Sequence, residues 1–175
     1  EGIDGSTVKA DAIGEIGTSK NEWTANERNL FEAALIAHKE THKPIYTHTT
    51  LATLAKDQAL YLVDHGADPN KVVIGHVDLS GDLDMIRSVI ACGVTVGFDT
   101  IGKNNYLPDE KRIEFLLALE KDGLLNQVVL SEDLTRKSHL KYKGGIGYCY
   151  LFESFIPKLL EAGLSKASLD QMLIH

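Results

Sequence analysis

Residues 72–99 read VVIGHVDLSGDLDMIRSVIACGVTVGFD and contain two strand-like runs on either side of a segment with helical periodicity. A β-branched run, Val72–His76, leads into a segment whose apolar residues recur at helical spacing, and a second β-branched run, Val94–Asp99, follows it. Runs that are apolar almost throughout are typical of parallel strands buried on both faces. The stretch therefore predicts a strand–helix–strand unit, in which the connection brings the two strands together in parallel.

The same unit extends in both directions along the chain, with segments of helical period between the strands. The further strand-like runs are Ala12–Gly17, Pro44–His48 and Gln127–Asp133. Thr24 and Glu27 form a capping-box pattern, which predicts the start of the first helix. Pro157 predicts a kink or a restart in the last helix, near Leu151 to Ala162.

Two architectures fit five such units, an open doubly wound sheet and a (β/α)8 TIM barrel. No GxGxxG follows the first run, so a dinucleotide-binding sheet has little support. A complete barrel takes roughly 250 residues, and five strands cannot close one. Because the chain begins shortly before a buried strand, we interpret residues 1–175 as the C-terminal part of a single barrel domain. The interpretation is an incomplete barrel of about five βα units, strands four to eight.

Composition excludes several classes of protein. The hydrophobic fraction of 43% supports a sizeable core, and the charged fraction of 25% without low-complexity tracts argues against disorder. The net charge of −7 disfavours a broad nucleic-acid-binding surface. No run of about 18 apolar residues is present to span a membrane. No signal-peptide pattern opens the chain and the two cysteines fit a reducing compartment, so we expect a cytoplasmic protein.

Polar side chains stand at the ends of the strand-like runs, where a barrel builds its active site. Four of them are metal-ligand types: Glu15, His48, His76 and Asp133. Two histidines and two carboxylates that converge from different strands suit zinc or manganese. A single strand-end histidine is more often a buried histidine with its hydrogen bonds satisfied, but the four together favour a metal site. Asp99 is either a further ligand or an acceptor of backbone N–H groups.

At these residues the sequence resembles the phosphotriesterase family of the amidohydrolase superfamily. The resemblance covers essentially the whole chain, with the motifs in the family's order. The motifs are Gly14–Ser19, Thr47–Thr49, Gly75–Asp78 and Ser131–Asp133. A closer match to the bacterial phosphotriesterase homology subgroup rests on Phe98–Asn104, Pro108–Arg112 and Arg136–Leu140.

The resemblance implies a distorted (β/α)8 barrel with two divalent ions, usually zinc, with manganese as the alternative. Glu15 would be the bridging carboxylate, at a position where many relatives have a carboxylated lysine. His48 and His76 would hold the second, more exposed ion. Asp133 would bind the first ion and act as the catalytic base for a metal-bridging hydroxide that attacks an ester or lactone. The family's His-x-His pair does not occur before Glu15.

Substrate-binding residues are expected in the loops after the last two strands. Lys103 and Arg136 match positions that would hold the phosphate of a phosphorylated sugar lactone, and His139 follows the last strand toward the same site. The other interpretation is that the basic residues are solvated loop charges. Thr100 stands where lactone-hydrolysing relatives tend to have arginine.

The sequence leaves two classes of function open. One is a zinc-dependent hydrolase that acts on ester bonds of a small molecule. The other is an inactive or structural truncated barrel without catalytic activity, since the His-x-His pair is missing. Neither nucleic acid nor a membrane is expected as a partner, and a homodimer is left open.

Overall fold

The computed structural model of the protein describes residues 3–174. Five parallel strands form one sheet, and each strand pairs with its predecessor in sequence. The strands are β1 (Ile13–Thr18), β2 (Ile45–Thr49), β3 (Val72–Ile74), β4 (Thr95–Phe98) and β5 (Val128–Leu130). A doubly wound sheet would reverse its strand order at a switch point, so the sequential order confirms the predicted barrel architecture. The assignment to strands four to eight stays a prediction.

The helices lie between and after the strands, as the sequence predicted for most of them. They are α1 (Ala25–Thr41), α2 (Ala55–Asp64), α3 (Leu83–Ile90), α4 (Asp109–Lys121), α5 (Ile156–Glu161) and α6 (Lys166–Ile174). A turn of π-helix, Leu151–Phe155, precedes α5, and Pro157 stands in the first turn of α5, so the predicted restart is confirmed. Within residues 3–174, no helix combines the length and apolar character needed to cross a bilayer.

The capping box at the start of α1 is confirmed in its atoms. The side chain of Thr24 accepts a hydrogen bond from the backbone N–H of Glu27 at 3.3 Å, and Glu27 accepts one from the backbone N–H of Thr24 at 2.7 Å. This reciprocal pair satisfies two N–H groups that have no partner within the helix. It fixes where α1 begins.

One face of the sheet forms a wall of the hydrophobic core, and the helices cover it. The strand residues buried there include Ile45, Ile74, Val96, Phe98 and Val128, and the helix residues include Phe31, Leu62, Ile86, Leu116 and Leu159. Successive residues of a strand point to opposite faces. Tyr46 and His48 therefore lie on the other face of β2, and both are only partly buried.

Two strands end at least two residues earlier than the sequence predicted. Strand β3 ends at Ile74 instead of His76, and β5 ends at Leu130 instead of Asp133. His76 and Asp133 adopt left-handed backbone conformations, with φ values of 60° and 46°. That conformation cannot continue a strand, so the chain turns at both residues, at the carboxyl edge of the sheet.

Candidate metal centre

Glu15, His48 and His76 meet at the carboxyl edge of three neighbouring strands. One ligand atom from each lies within 4.8 Å of the other two. Glu15 Oε1 is 3.3 Å from His76 Nε2 and 3.6 Å from His48 Nδ1, and the two histidine nitrogens are 2.9 Å apart. Glu15 lies within β1, in the stretch between Ile13 and Ile16 where the register shifts, whereas His48 lies near the end of β2 and His76 two residues beyond β3.

Asp99 orients the ring of His76. The carboxylate of Asp99 accepts hydrogen bonds from the Nδ1 of His76 at 2.8 Å and from its backbone N–H at 2.9 Å. A histidine that donates through Nδ1 presents Nε2 as a lone pair, the form that binds a metal. Of the two roles considered for Asp99, the structure shows the acceptor of a backbone N–H.

The interactions around Asp99 shift the pKa values of three groups. Burial alone would lower the pKa of His76, but the hydrogen bond to Asp99 and its charge raise it. Burial would raise the pKa of Asp99, but the hydrogen bond and charge of His76 and the hydroxyl of Tyr46 hold it below its usual value. Burial and the neighbouring Asp99 charge raise the pKa of Tyr46, so its hydroxyl stays a donor.

Asp133, the fourth predicted ligand, faces the same space without joining the group of three. It lines a cavity of about 330 Å³ together with His48 and His76, and a smaller one together with Glu15. Its carboxylate accepts a hydrogen bond from the ammonium group of Lys103. The structure thus places Asp133 on the wall of the site, paired with a cation of the chain itself.

The three predicted substrate-binding residues line a second, polar cavity of about 260 Å³. Its walls are formed by Lys103, Asn105, Tyr106, Asp133, Thr135, Arg136 and His139. Lys103, Tyr106 and Asp133 also line the first cavity, so the two spaces share a wall. The Nδ1 atom of His139 is buried and has no hydrogen-bond partner within residues 3–174, which a bound group or water would explain.

The wall of the first cavity away from the ligands is apolar, a feature the sequence did not predict. It is formed by the side chains of Leu51, Leu79 and Tyr106. Leu51 has a left-handed φ of 55° and 43% of its surface exposed. An exposed leucine held in an unfavourable conformation beside a cavity indicates a surface that contacts a ligand.

A buried arginine joins the loop after β4 to the turn after β3, and the sequence did not reveal it. Arg112 of α4 is 0% exposed. Its Nε donates to Asp78 at 2.7 Å, and its two terminal nitrogens donate to Asp109 at 2.9 Å and Thr100 at 2.7 Å. Burial raises the pKa of Asp78, although the charge of Arg112 opposes the shift. The network holds the loop that carries Lys103 against the site.

The donor set fits a divalent ion. A carboxylate and two imidazoles are the donors that zinc and manganese take in proteins, and their atoms lie close enough to share one ion. The side chains of Glu15 and His48 are 44% and 43% exposed, whereas that of His76 is 7% exposed. The group is therefore anchored from one side and open to solvent and substrate on the other.

A parallel sheet wound in barrel order, with two histidines and a carboxylate gathered at its carboxyl edge, defines a TIM-barrel protein with a candidate metal centre. The model of the phosphotriesterase family matches residues 1–175. The chain belongs to the phosphotriesterase family.

Relatives with known names and structures agree with this membership. The phosphotriesterase homology protein of Escherichia coli K12 is 51% identical over 173 residues, which are 99% of this chain and 59% of the relative. The crystal structure of that protein, complexed with phosphate in its active site, matches with a TM-score of 0.95 over 98% of this chain and 59% of the other.

Two more distant relatives are hydrolases by name. The aryldialkylphosphatase of Saccharolobus solfataricus is 32% identical over 95% of this chain and 56% of its own length. The phospho-furanose lactonase of Mycoplasmopsis synoviae is 32% identical over 97% of this chain and 50% of its own length. The chain thus spans between half and three fifths of the length of these relatives.

Proposed function

We propose that the protein is a zinc-dependent hydrolase of ester or lactone bonds, with manganese as the alternative metal. The observation that carries the proposal is the convergence of Glu15, His48 and His76, with ligand atoms within 4.8 Å of one another. When bound, the metal would polarise the substrate oxygen and activate water near neutral pH. Relatives named as a phosphatase and a lactonase support hydrolysis as the reaction class.

The residues of the chain would bind the metal, orient a ligand and accept a proton. Glu15, His48 and His76 would hold the metal, and Asp99 keeps the Nε2 of His76 directed at it. Asp133 lies on the wall shared by both cavities, from which its carboxylate can accept the proton of an attacking water. Asp133 is thus the proposed catalytic base, as the sequence predicted.

The substrate class that the site favours is a phosphorylated sugar lactone. Lys103, Arg136 and His139 line one polar cavity beside the candidate centre, and basic side chains suit a phosphate group. The E. coli relative holds phosphate in its active site, and the M. synoviae relative is a phospho-furanose lactonase by name. These observations support the phosphate subsite over solvated loop charges.

Replacement of one ligand tests the proposal. The full-length protein should bind zinc and hydrolyse a phosphorylated lactone, and His48→Ala should remove zinc from this centre and abolish turnover. His65→Ala, at an exposed histidine after α2, is the matched control and should keep both properties. Metal analysis and a hydrolysis assay on the same samples provide the measurement. Turnover that survives in His48→Ala would refute the proposed role, and a wild type without metal or turnover would support the alternative of a non-catalytic barrel.

A further inference from the structure

Tyr46 occupies the same face of β2 as the ligand His48, two residues earlier in the strand. Its hydroxyl donates a hydrogen bond to Asp99 Oδ2 at 2.6 Å. The other oxygen of that carboxylate, Oδ1, accepts the hydrogen bond from His76 Nδ1 at 2.8 Å. Tyr46, Asp99 and His76 therefore form a continuous series of hydrogen bonds that ends at a candidate metal ligand.

Two glycines, one in β4 and one directly after β3, make the space for this series. A Cβ atom on Gly97 would lie 2.5 Å from Asp99 Oδ2 and 3.1 Å from the hydroxyl oxygen of Tyr46. A Cβ atom on Gly75 would lie 3.2 Å from the ring of Tyr46 and 3.2 Å from Asp99 Oδ2. A side chain at Gly97 would displace the carboxylate, whereas one at Gly75 would first meet the backbone oxygen of Thr47 at 2.2 Å and would also crowd the tyrosine and the carboxylate.

The hydrogen bond from Tyr46 determines which way the carboxylate of Asp99 faces. Asp99 is 3% exposed, so solvent can satisfy little of its hydrogen-bonding capacity. With Oδ2 held by the hydroxyl of Tyr46, rotation of the carboxylate is restricted and Oδ1 stays directed at the ring of His76. Without this donor, Oδ2 would keep only the backbone N–H of His76 at 3.1 Å, which it shares with Oδ1, and the weaker satisfaction of a buried carboxylate favours its movement.

We propose that Tyr46 is a positioning residue of the metal centre, acting through Asp99 to hold the ring of His76. The inference rests on the proposed function, because it requires that Glu15, His48 and His76 bind a divalent ion. Residues that orient metal ligands from behind typically contribute about 10- to 100-fold to metal affinity. Because Tyr46 acts at one remove from His76, its contribution should be near the lower end.

The affinity for Zn²⁺ alone tests this inference without an activity assay. In Tyr46→Phe, which keeps the ring in its slot, competition with a chromophoric chelator should show affinity about tenfold lower than in the wild type. Tyr150→Phe is the matched control, because it also removes a hydroxyl that donates to a buried carboxylate, Asp109, at 2.9 Å. It should bind Zn²⁺ as the wild type does. Wild-type affinity in Tyr46→Phe, or an equal loss in Tyr150→Phe, would overturn the inference.

A double-mutant cycle shows whether Tyr46 acts through Asp99. In an Asp99→Asn background, Tyr46→Phe should cause no further loss of Zn²⁺ affinity, because the series is already interrupted. A further tenfold loss in that background would contradict action through Asp99. In protein loaded with Co²⁺, Tyr46→Phe should also shift the visible absorption bands that report ligand geometry, and Tyr150→Phe should leave them in place.

Gly97→Ala provides a second variant that keeps both partners chemically intact. Its new methyl group would displace the Asp99 carboxylate, so Zn²⁺ affinity should fall as in Tyr46→Phe. Wild-type affinity in Gly97→Ala would count against the inference even if Tyr46→Phe failed to fold. A wild-type protein that does not bind Zn²⁺ would instead remove the proposed function itself.

Discussion

Lys103 stands on the wall between the two cavities, and its ammonium group is paired with Asp133. The same residue was predicted from the sequence as a partner for substrate phosphate. Both roles are compatible, because Lys103 lines the polar cavity as well as the cavity that holds His48 and His76. Arg136 lines the polar cavity and not the first one, so its replacement tests phosphate binding while the Lys103–Asp133 ion pair stays in place.

Arg136→Ala should raise KM for phosphorylated lactones about tenfold, the value of roughly one charge-assisted hydrogen bond. KM for neutral lactones should change little, because these place no charge in the polar cavity. Steady-state kinetics on a matched pair of lactones provide the measurement. Lys137→Ala is the control, because Lys137 is an exposed cation next to Arg136 in sequence and does not line the cavity. An equal rise in KM for both lactones would remove the phosphate subsite from the proposal.

Part of the candidate site follows from sequence at the level of single residues. Glu15, His48 and His76 stand at the ends of predicted parallel strands, and such ends share one edge of a sheet. The pairing of Lys103 with Asp133 joins two loops, 30 positions apart, whose path no local pattern specifies. The position of Tyr46 near the site could have been predicted, because a residue two positions before a ligand in a strand points to the same face of the sheet.

Among the elements, strands and long helices were predictable, and the buried polar contacts of α4 were not. The β-branched runs and the capping box at α1 are local sequence signals, and the structure contains the corresponding strands and helix start. Arg112 reads as a solvated charge in a helix, yet its spacing from the buried Leu116 places it on the inward face. The short helix α6 was missed, although Ser165 caps it by accepting the backbone N–H of Ser168 at 3.1 Å.

Arg112→Met should destabilise the protein by about 3–5 kcal/mol, although it replaces a charge by an apolar chain of similar length. The substitution leaves Asp78 and Asp109, which are both buried, without their cation. Denaturant unfolding followed by circular dichroism gives the free energy of unfolding.

The control for this prediction is Arg87→Met, which also breaks two ion pairs. Arg87 bonds Asp84 and Asp122 at the surface of α3, where water replaces the lost partners. Its free energy of unfolding should stay near that of the wild type. If both variants were equally stable, the network around Arg112 would not be what holds the loop after β4.

At the scale of the whole molecule, the order of the five strands was predictable from the regular spacing of βα units. The sheet divides the protein into a helix-covered face that holds the core and a second face that holds the polar site. The residues that stabilise the fold and the residues of the candidate site therefore lie on opposite faces of the same strands. A ligand that binds the polar face should accordingly stabilise the fold without changing the core.

Zinc should raise the melting temperature of the protein, because it binds the three ligands where the folded strands bring them together and not the unfolded chain. At about 100 times its Kd, a ligand of the folded state adds about 2.7 kcal/mol. Thermal unfolding with added zinc and with a chelator measures the difference, and His48→Ala should show none. The same rise in melting temperature in His48→Ala would mean that zinc binds elsewhere.

The left-handed backbone of His76 restricts how the selectivity of the centre can be redesigned. Asparagine and aspartate are the residues with a side chain that tolerate this conformation best, and a β-branched replacement would be strained there. His48 lies within a regular strand, where many side chains fit. Position 76 therefore accepts fewer replacements than position 48 when the preferred ion of the centre is to be exchanged.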